Sequence, residues 1–99
     1  MSTRDEYIAK MKAQLDEWNV EIRALEERAQ DFKDDAKVKY EEQLVVLRAK
    51  REEGALKLEA MMAEVKSASE TAWEQVKTET EHAWEALKDS VATFRTHYK

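Results

Sequence analysis

The 99-residue chain has no cysteine and no proline, and its only glycine is Gly54. Without cysteine there is neither a disulfide framework nor thiolate chemistry. Proline and glycine are the strongest helix breakers, so little in the local chemistry stops a helix from running far along this chain. No apolar run approaches the ~20 residues that a membrane-spanning helix needs. The opening MSTRDEY contains no apolar segment of the kind that directs secretion, and the expected location is therefore cytoplasmic. A basic excess is also missing: 17 Lys and Arg stand against 22 Asp and Glu, a net charge of −5. The densest basic stretch, Arg48, Lys50 and Arg51, runs straight into Glu52 and Glu53. The chain thus lacks the basic face that duplex nucleic acid requires, and no nucleic-acid partner is expected.

What the chain does have is charge and apolar periodicity. Charged residues make up 39% and hydrophobic residues 42%. Charged helix formers with a sustained repeat indicate a coiled coil or a long helix and not a compact globule, and the regular placement of the apolar residues weakens the competing reading of disorder. From Ile8 the apolar residues fall at Met11, Leu15, Trp18, Ile22, Leu25, Ala29, Phe32 and Ala36, in alternating steps of three and four. This is the a/d seam of a left-handed coiled coil. Phe32 and Leu25 occupy consecutive d positions, so both are expected to be buried between helices, whereas Val20 falls opposite the seam. After Ala36 the stripe slips by four residues and resumes at Tyr40, Leu44 and Leu47, the pattern of a stutter.

The remainder has a period of eleven. SASETAWEQVK (67–77), TETEHAWEALK (78–88) and DSVATFRTHYK (89–99) align, and LKLEAMMAEVK (56–66) fits the same frame. Eleven residues in three turns, ~3.67 per turn, keep a stripe nearly straight. One domain is expected over 1–99, mainly heptad in 3–54 and hendecad in 55–99. Its self-association seam comprises Ile8, Met11, Leu15, Trp18, Ile22, Leu25, Phe32, Leu44, Leu47, Leu58, Val65, Val76, Leu87 and Phe94.

The fold class that follows is all-α: one long amphipathic helix, or two helices with a joint near 67–70 or at Gly54. Ser67 and Glu70 form a capping box at the first joint, as do Thr3 and Glu6 at the N-terminus. Glu6–Lys10, Asp35–Lys39 and Glu53–Lys57 are i,i+4 pairs in the favoured order. Arg95, His97 and Lys99 place cations at the negative end of the last helix dipole. A single helix of 99 residues would be ~148 Å long and would expose its whole seam. The seam must therefore be buried by another chain or by folding back. The uneven size of its side chains favours an antiparallel coiled coil or bundle, from dimer to tetramer, with a helical protein partner as a second option.

No catalytic, cofactor or metal site stands out. Glu79-x-x-His82 has the spacing of a di-iron bundle element, but His82 points away from the stripe. Ser67, Ser69 and Ser90 have no histidine placed to activate them. Trp73 and Trp84, each followed by a lysine four residues on, suit either a core flank covered by lysine stems or a lipid interface.

The segments TAWEQVK and HAWEALKDSV resemble the amphipathic 11-residue repeats of apolipoproteins and late-embryogenesis-abundant proteins. The opening STRDEYIAKMKAQLDEWNVEI, together with those AWE units, more closely resembles small bacterial coiled-coil proteins of unassigned activity. That resemblance implies a bacterial cytoplasmic origin and no known activity. Lipid-binding 11-mers carry lysine along both borders of the apolar face. Here Lys66, Lys77 and Lys88 line one border only. The expected function is that of a non-enzymatic structural protein, a self-associating coiled coil acting as scaffold, spacer or adaptor. Reversible lipid binding or a stress-protective role is the alternative, with a membrane surface the less favoured partner.

Overall fold

The seam closes on itself. In the computed structural model, which describes residues 3–98, two short turns join three α-helices: α1 (Thr3–Arg28), α2 (Asp34–Glu64) and α3 (Glu70–His97). The fold is all-α, and the helices pack against one another up, down and up. The α2 helix lies close against both neighbours. Between α1 and α3 the contact runs through long side chains: Tyr7 meets Trp73 near their first turns, and Glu21 meets Arg95 near their last. The bundle measures 52 × 20 × 19 Å, about a third of the length of a continuous helix.

Of the two turns, the one after Glu64 falls at the expected joint near 67–70. Gly54 is no joint. It sits inside α2 and is buried. The other turn, at residues 29–33, cuts through what the sequence presents as unbroken heptads. Ala29–Asp31 make one turn of 3₁₀ helix. Phe32 and Lys33 are extended, and α2 begins on Asp34 at φ 55°. That left-handed backbone is disfavoured for most L-residues, but aspartate tolerates it because its short polar side chain bonds locally. The seam thus runs as a heptad only to Ala29. Phe32 is not a helical d residue. It lies in the turn, half-buried, stacked on Tyr40 at 4.5 Å between ring centroids. Ala36 is exposed, and the stutter is the residue count across the turn.

With no glycine or proline at either turn, the carbonyls at the helix ends need other partners. Backbone amides of the turns supply part of them, Ser67 and Ala68 donating to the Glu64 carbonyl and Phe32 to that of Ala29. Long side chains from elsewhere in the chain supply others. The Tyr40 hydroxyl donates to the Leu25 carbonyl, in the last turn of α1, at 2.6 Å. Arg4 Nη1 donates to the Val65 and Ala68 carbonyls, just past α2, at 3.1 and 2.9 Å. The Arg4 guanidinium also stands 4.9 Å from the centre of the Trp73 ring and pairs with Glu70 at 3.6 Å.

Helix starts differ in detail from expectation. The α3 cap is Ser69, two residues after Ser67, and its Oγ accepts from the Ala72 amide at 3.1 Å. Thr3 is already the first residue of α1, while Ser2 before it and Lys99 at the far end lie outside the described residues. Among the described residues the expected i,i+4 pairs form no ion pairs. Charges pair between helices instead: Arg48 with Glu26, Lys57 with Glu79 and Arg95 with Glu21. Exposed pairs of this kind add little stability, typically about 0–1 kcal/mol, but all three match one register.

The core has two connected parts. Tyr40 centres the first, with Ile22, Leu25, Leu44, Leu47, Leu87 and Phe94 around it. Ile8, Met11, Leu58, Met61, Trp73 and Trp84 form the second, and Trp18 packs against both. The buried positions of α3 are Trp73, Thr80, Ala83, Trp84, Leu87, Val91 and Phe94, and all but Trp84 follow heptads with one stutter at 87–91. The first 11-residue unit straddles the second turn, and the 11-residue frame passes over Thr80 and Val91. Thr80 is fully buried, its hydroxyl satisfied by the Val76 carbonyl at 2.9 Å.

Tyr40→Phe keeps the ring but leaves the buried Leu25 carbonyl without its donor. It should lower stability by about 1–3 kcal/mol in denaturant titrations. Burial holds the Tyr40 phenol above its ordinary value near 10. Burial, followed by the hydrogen bond to Glu81, also raises the Tyr7 phenol. An unfolded chain ionises these phenols first. Their stabilisation is therefore complete below about pH 10 and is lost as pH rises above it. The phenylalanine variant should show a shallower alkaline loss.

Candidate interaction surface

The residues expected to form a seam between chains are instead brought together within one. Ile8, Met11, Ile22, Leu25, Leu44, Leu47, Leu58, Leu87 and Phe94 are buried. Leu15, Trp18, Phe32, Val65 and Val76 are half-buried beside them. While the bundle is closed this surface is unavailable to a second copy, and a coiled coil built on it would require helices to exchange between chains.

At mid-bundle the three helices meet over a single aromatic ring. Trp84 of α3 lies against Gly54 of α2, so that a Cβ at residue 54 would stand 3.1 Å from the ring. Trp18 of α1 meets the same ring edge-on at 5.7 Å. The glycine is there for close approach, since any side chain would have to displace the indole. Trp84 Nε1 is buried without a hydrogen-bond partner, a donor left unsatisfied by this packing. Trp73 is buried too. Neither tryptophan is presented to a lipid surface, and their cation neighbours differ from expectation: Arg4 covers Trp73, while Lys77 covers Tyr7. The Tyr7 hydroxyl donates to Glu81 at 2.7 Å.

Little else is organised for chemistry. Among the described residues no group of acids and histidines is arranged to hold a metal, and His82 is exposed. Among the described residues no helix is long and apolar enough to cross a membrane. A shallow cleft of about 420 Å³ between α2 and α3 is lined by Val46, Ser90, Phe94 and His97. No hydrogen bond joins Ser90 to His97 there, so it holds no activated nucleophile.

The surface of α2 is unusual in a different way. Its core face carries Tyr40, Leu44, Leu47, Leu58 and Met61. Directly opposite, Val38, Val45 and Leu56 are 55%, 59% and 56% exposed, with exposed Ala49, Ala60 and Ala63 between and beyond them. At about 100° per residue these six fall within roughly 40° of one line along the helix. Steps of seven and four link positions 38, 45, 49, 56 and 60, an 11-residue period that keeps the line nearly straight. The α2 helix is therefore apolar on two opposite sides, only one of which the bundle covers.

The chain matches no protein-family model, no curated protein and no solved structure. The outer stripe is the part of this site that a single-seam reading of the sequence misses. Its signal is nevertheless present: a second 11-residue apolar repeat half a turn out of phase with the core.

The two sides of α2 should respond oppositely to substitution. Gly54→Leu should cost about 1–3 kcal/mol through overpacking against Trp84, even though leucine is the better helix former. Leu56→Gln, on the outer stripe, should stay within about ±0.5 kcal/mol. Thermal melts of the two variants beside the parent check both values.

Proposed function

We propose that the protein is a structural interaction module: a three-helix adaptor that closes its own core and offers the outer face of α2 to another protein. The observation that carries this reading is the straight line of Val38, Val45 and Leu56, each more than half exposed on the helix that both neighbours already flank. A row of exposed apolar residues along one line of a helix is surface whose burial by a partner is favourable. A helix laid along it is the partner geometry that its spacing suits.

The reading keeps the scaffold or adaptor role expected from the sequence and moves its working surface. The heptad seam holds the module together, and the second stripe carries the contact. A lipid surface is less well supported, because Trp73 and Trp84 are buried and the outer stripe is bordered by carboxylates.

The test compares proteins retained from native cell extract by the parent chain and by the double variant Val45→Ser, Leu56→Ser, after circular dichroism has established that both are folded. Proteins held by the parent and lost by the variant support the reading. Identical sets of retained proteins contradict it.

A further inference from the structure

The charges around the outer stripe say what kind of helix it takes. Taking Val38 as the zero of angle, Glu41, Glu42, Glu52, Glu53 and Glu59 stand about 40–60° to either side of the line. All five are exposed, and none forms an ion pair among the described residues. The helix also opens on exposed Asp34 and Asp35. The cations of α2 lie farther round: Lys37, Lys39, Arg48, Lys50 and Lys57 are about 80–120° from the line and Arg51 about 140°. Two of them already face neighbours, Arg48 toward Glu26 of α1 and Lys57 toward Glu79 of α3. Both borders of the stripe are therefore acidic along its length, and the basic residues that would neutralise them are turned away.

These positions are where the flanking residues of a docked helix would sit. A second copy of this chain, laid along the stripe in either direction, would set carboxylates against carboxylates. Like charges juxtaposed at an interface oppose association. A partner with lysine or arginine on both sides of a small apolar seam would meet an opposite charge at each border. We infer that the outer face of α2 binds a basic amphipathic helix of another protein. That helix carries apolar residues at steps of seven and four and Lys or Arg beside them. The inference rests on the adaptor reading above and adds the chemistry of the partner.

The test uses the full-length protein and three synthetic helical peptides sharing one apolar seam. Their flanking positions carry lysine and arginine, glutamine, or glutamate. Binding is followed by fluorescence anisotropy at low and high salt. The basic peptide should bind about tenfold or more tightly than the neutral one at low salt, with the preference shrinking as salt screens it. The glutamate peptide should bind most weakly. Glu42→Lys combined with Glu53→Lys should weaken the basic peptide and strengthen the acidic one. Val45→Ser combined with Leu56→Ser should abolish binding of all three. Equal binding of the three peptides, lost in the Val45→Ser, Leu56→Ser variant, would overturn the charge inference while leaving the adaptor reading standing. Failure of all three to bind, or binding that the stripe variant leaves unchanged, would remove both.

Discussion

Every helix ends with carbonyls that its own backbone cannot satisfy, and in this chain that constraint shapes both turns. The common solution is a glycine in the left-handed conformation just past the helix. The single glycine here sits inside α2, so the solution has to come from elsewhere. Tyr40 reaches back across the first turn to the Leu25 carbonyl. Arg4 reaches from the far end of the chain to the carbonyls of Val65 and Ala68. Each of these side chains also takes part in packing: Tyr40 is buried among Phe32, Phe94 and Tyr98, and Arg4 lies over Trp73. The helix ends and the core are thus coupled. A turn is closed only when the helices it joins are docked, which ties local structure to the tertiary fold.

The same economy governs α2. It supplies one side to a shared core, where Gly54 lets the Trp84 ring approach its backbone. It also keeps a second apolar side that neither neighbour can reach. A helix apolar on opposite sides is ordinarily buried in a larger assembly. Here three helices supply cover for one side only, and exposed glutamates border the other. The core-packing side of α2 and its exposed apolar side therefore lie on opposite faces of one helix, so substitutions at Val45 or Leu56 leave the core closed.

Much of this is legible in the sequence. The helical class follows from composition, and the residues from Ile8 to Ala29 pack as their heptad spacing predicts. The joint after Glu64 follows from its serines. The first turn is not legible locally, because its signals are three aspartates and an aromatic residue in place of glycine or proline, and its closure depends on Tyr40 from the following helix. Phe32 happens to fall on the heptad count and is half-buried, so periodicity carries straight through a chain reversal. In α3 the polar Thr80 occupies a core position that a count of apolar residues passes over, while the repeated AWE units bury Trp73 and Trp84 eleven residues apart. The outer stripe is hidden for another reason. A search for one seam assigns each apolar residue to it or to noise, and Val38, Val45 and Leu56 are the remainder.

The central claim is that one chain buries its own seam by folding twice. Small-angle X-ray scattering of the full chain, extrapolated to infinite dilution, tests it most directly. The account predicts a compact particle with a radius of gyration near the 15.9 Å of the backbone, slightly enlarged by its hydration layer. A continuous helix of ~148 Å would give about 43 Å and the scattering profile of a rod, and that result would contradict it.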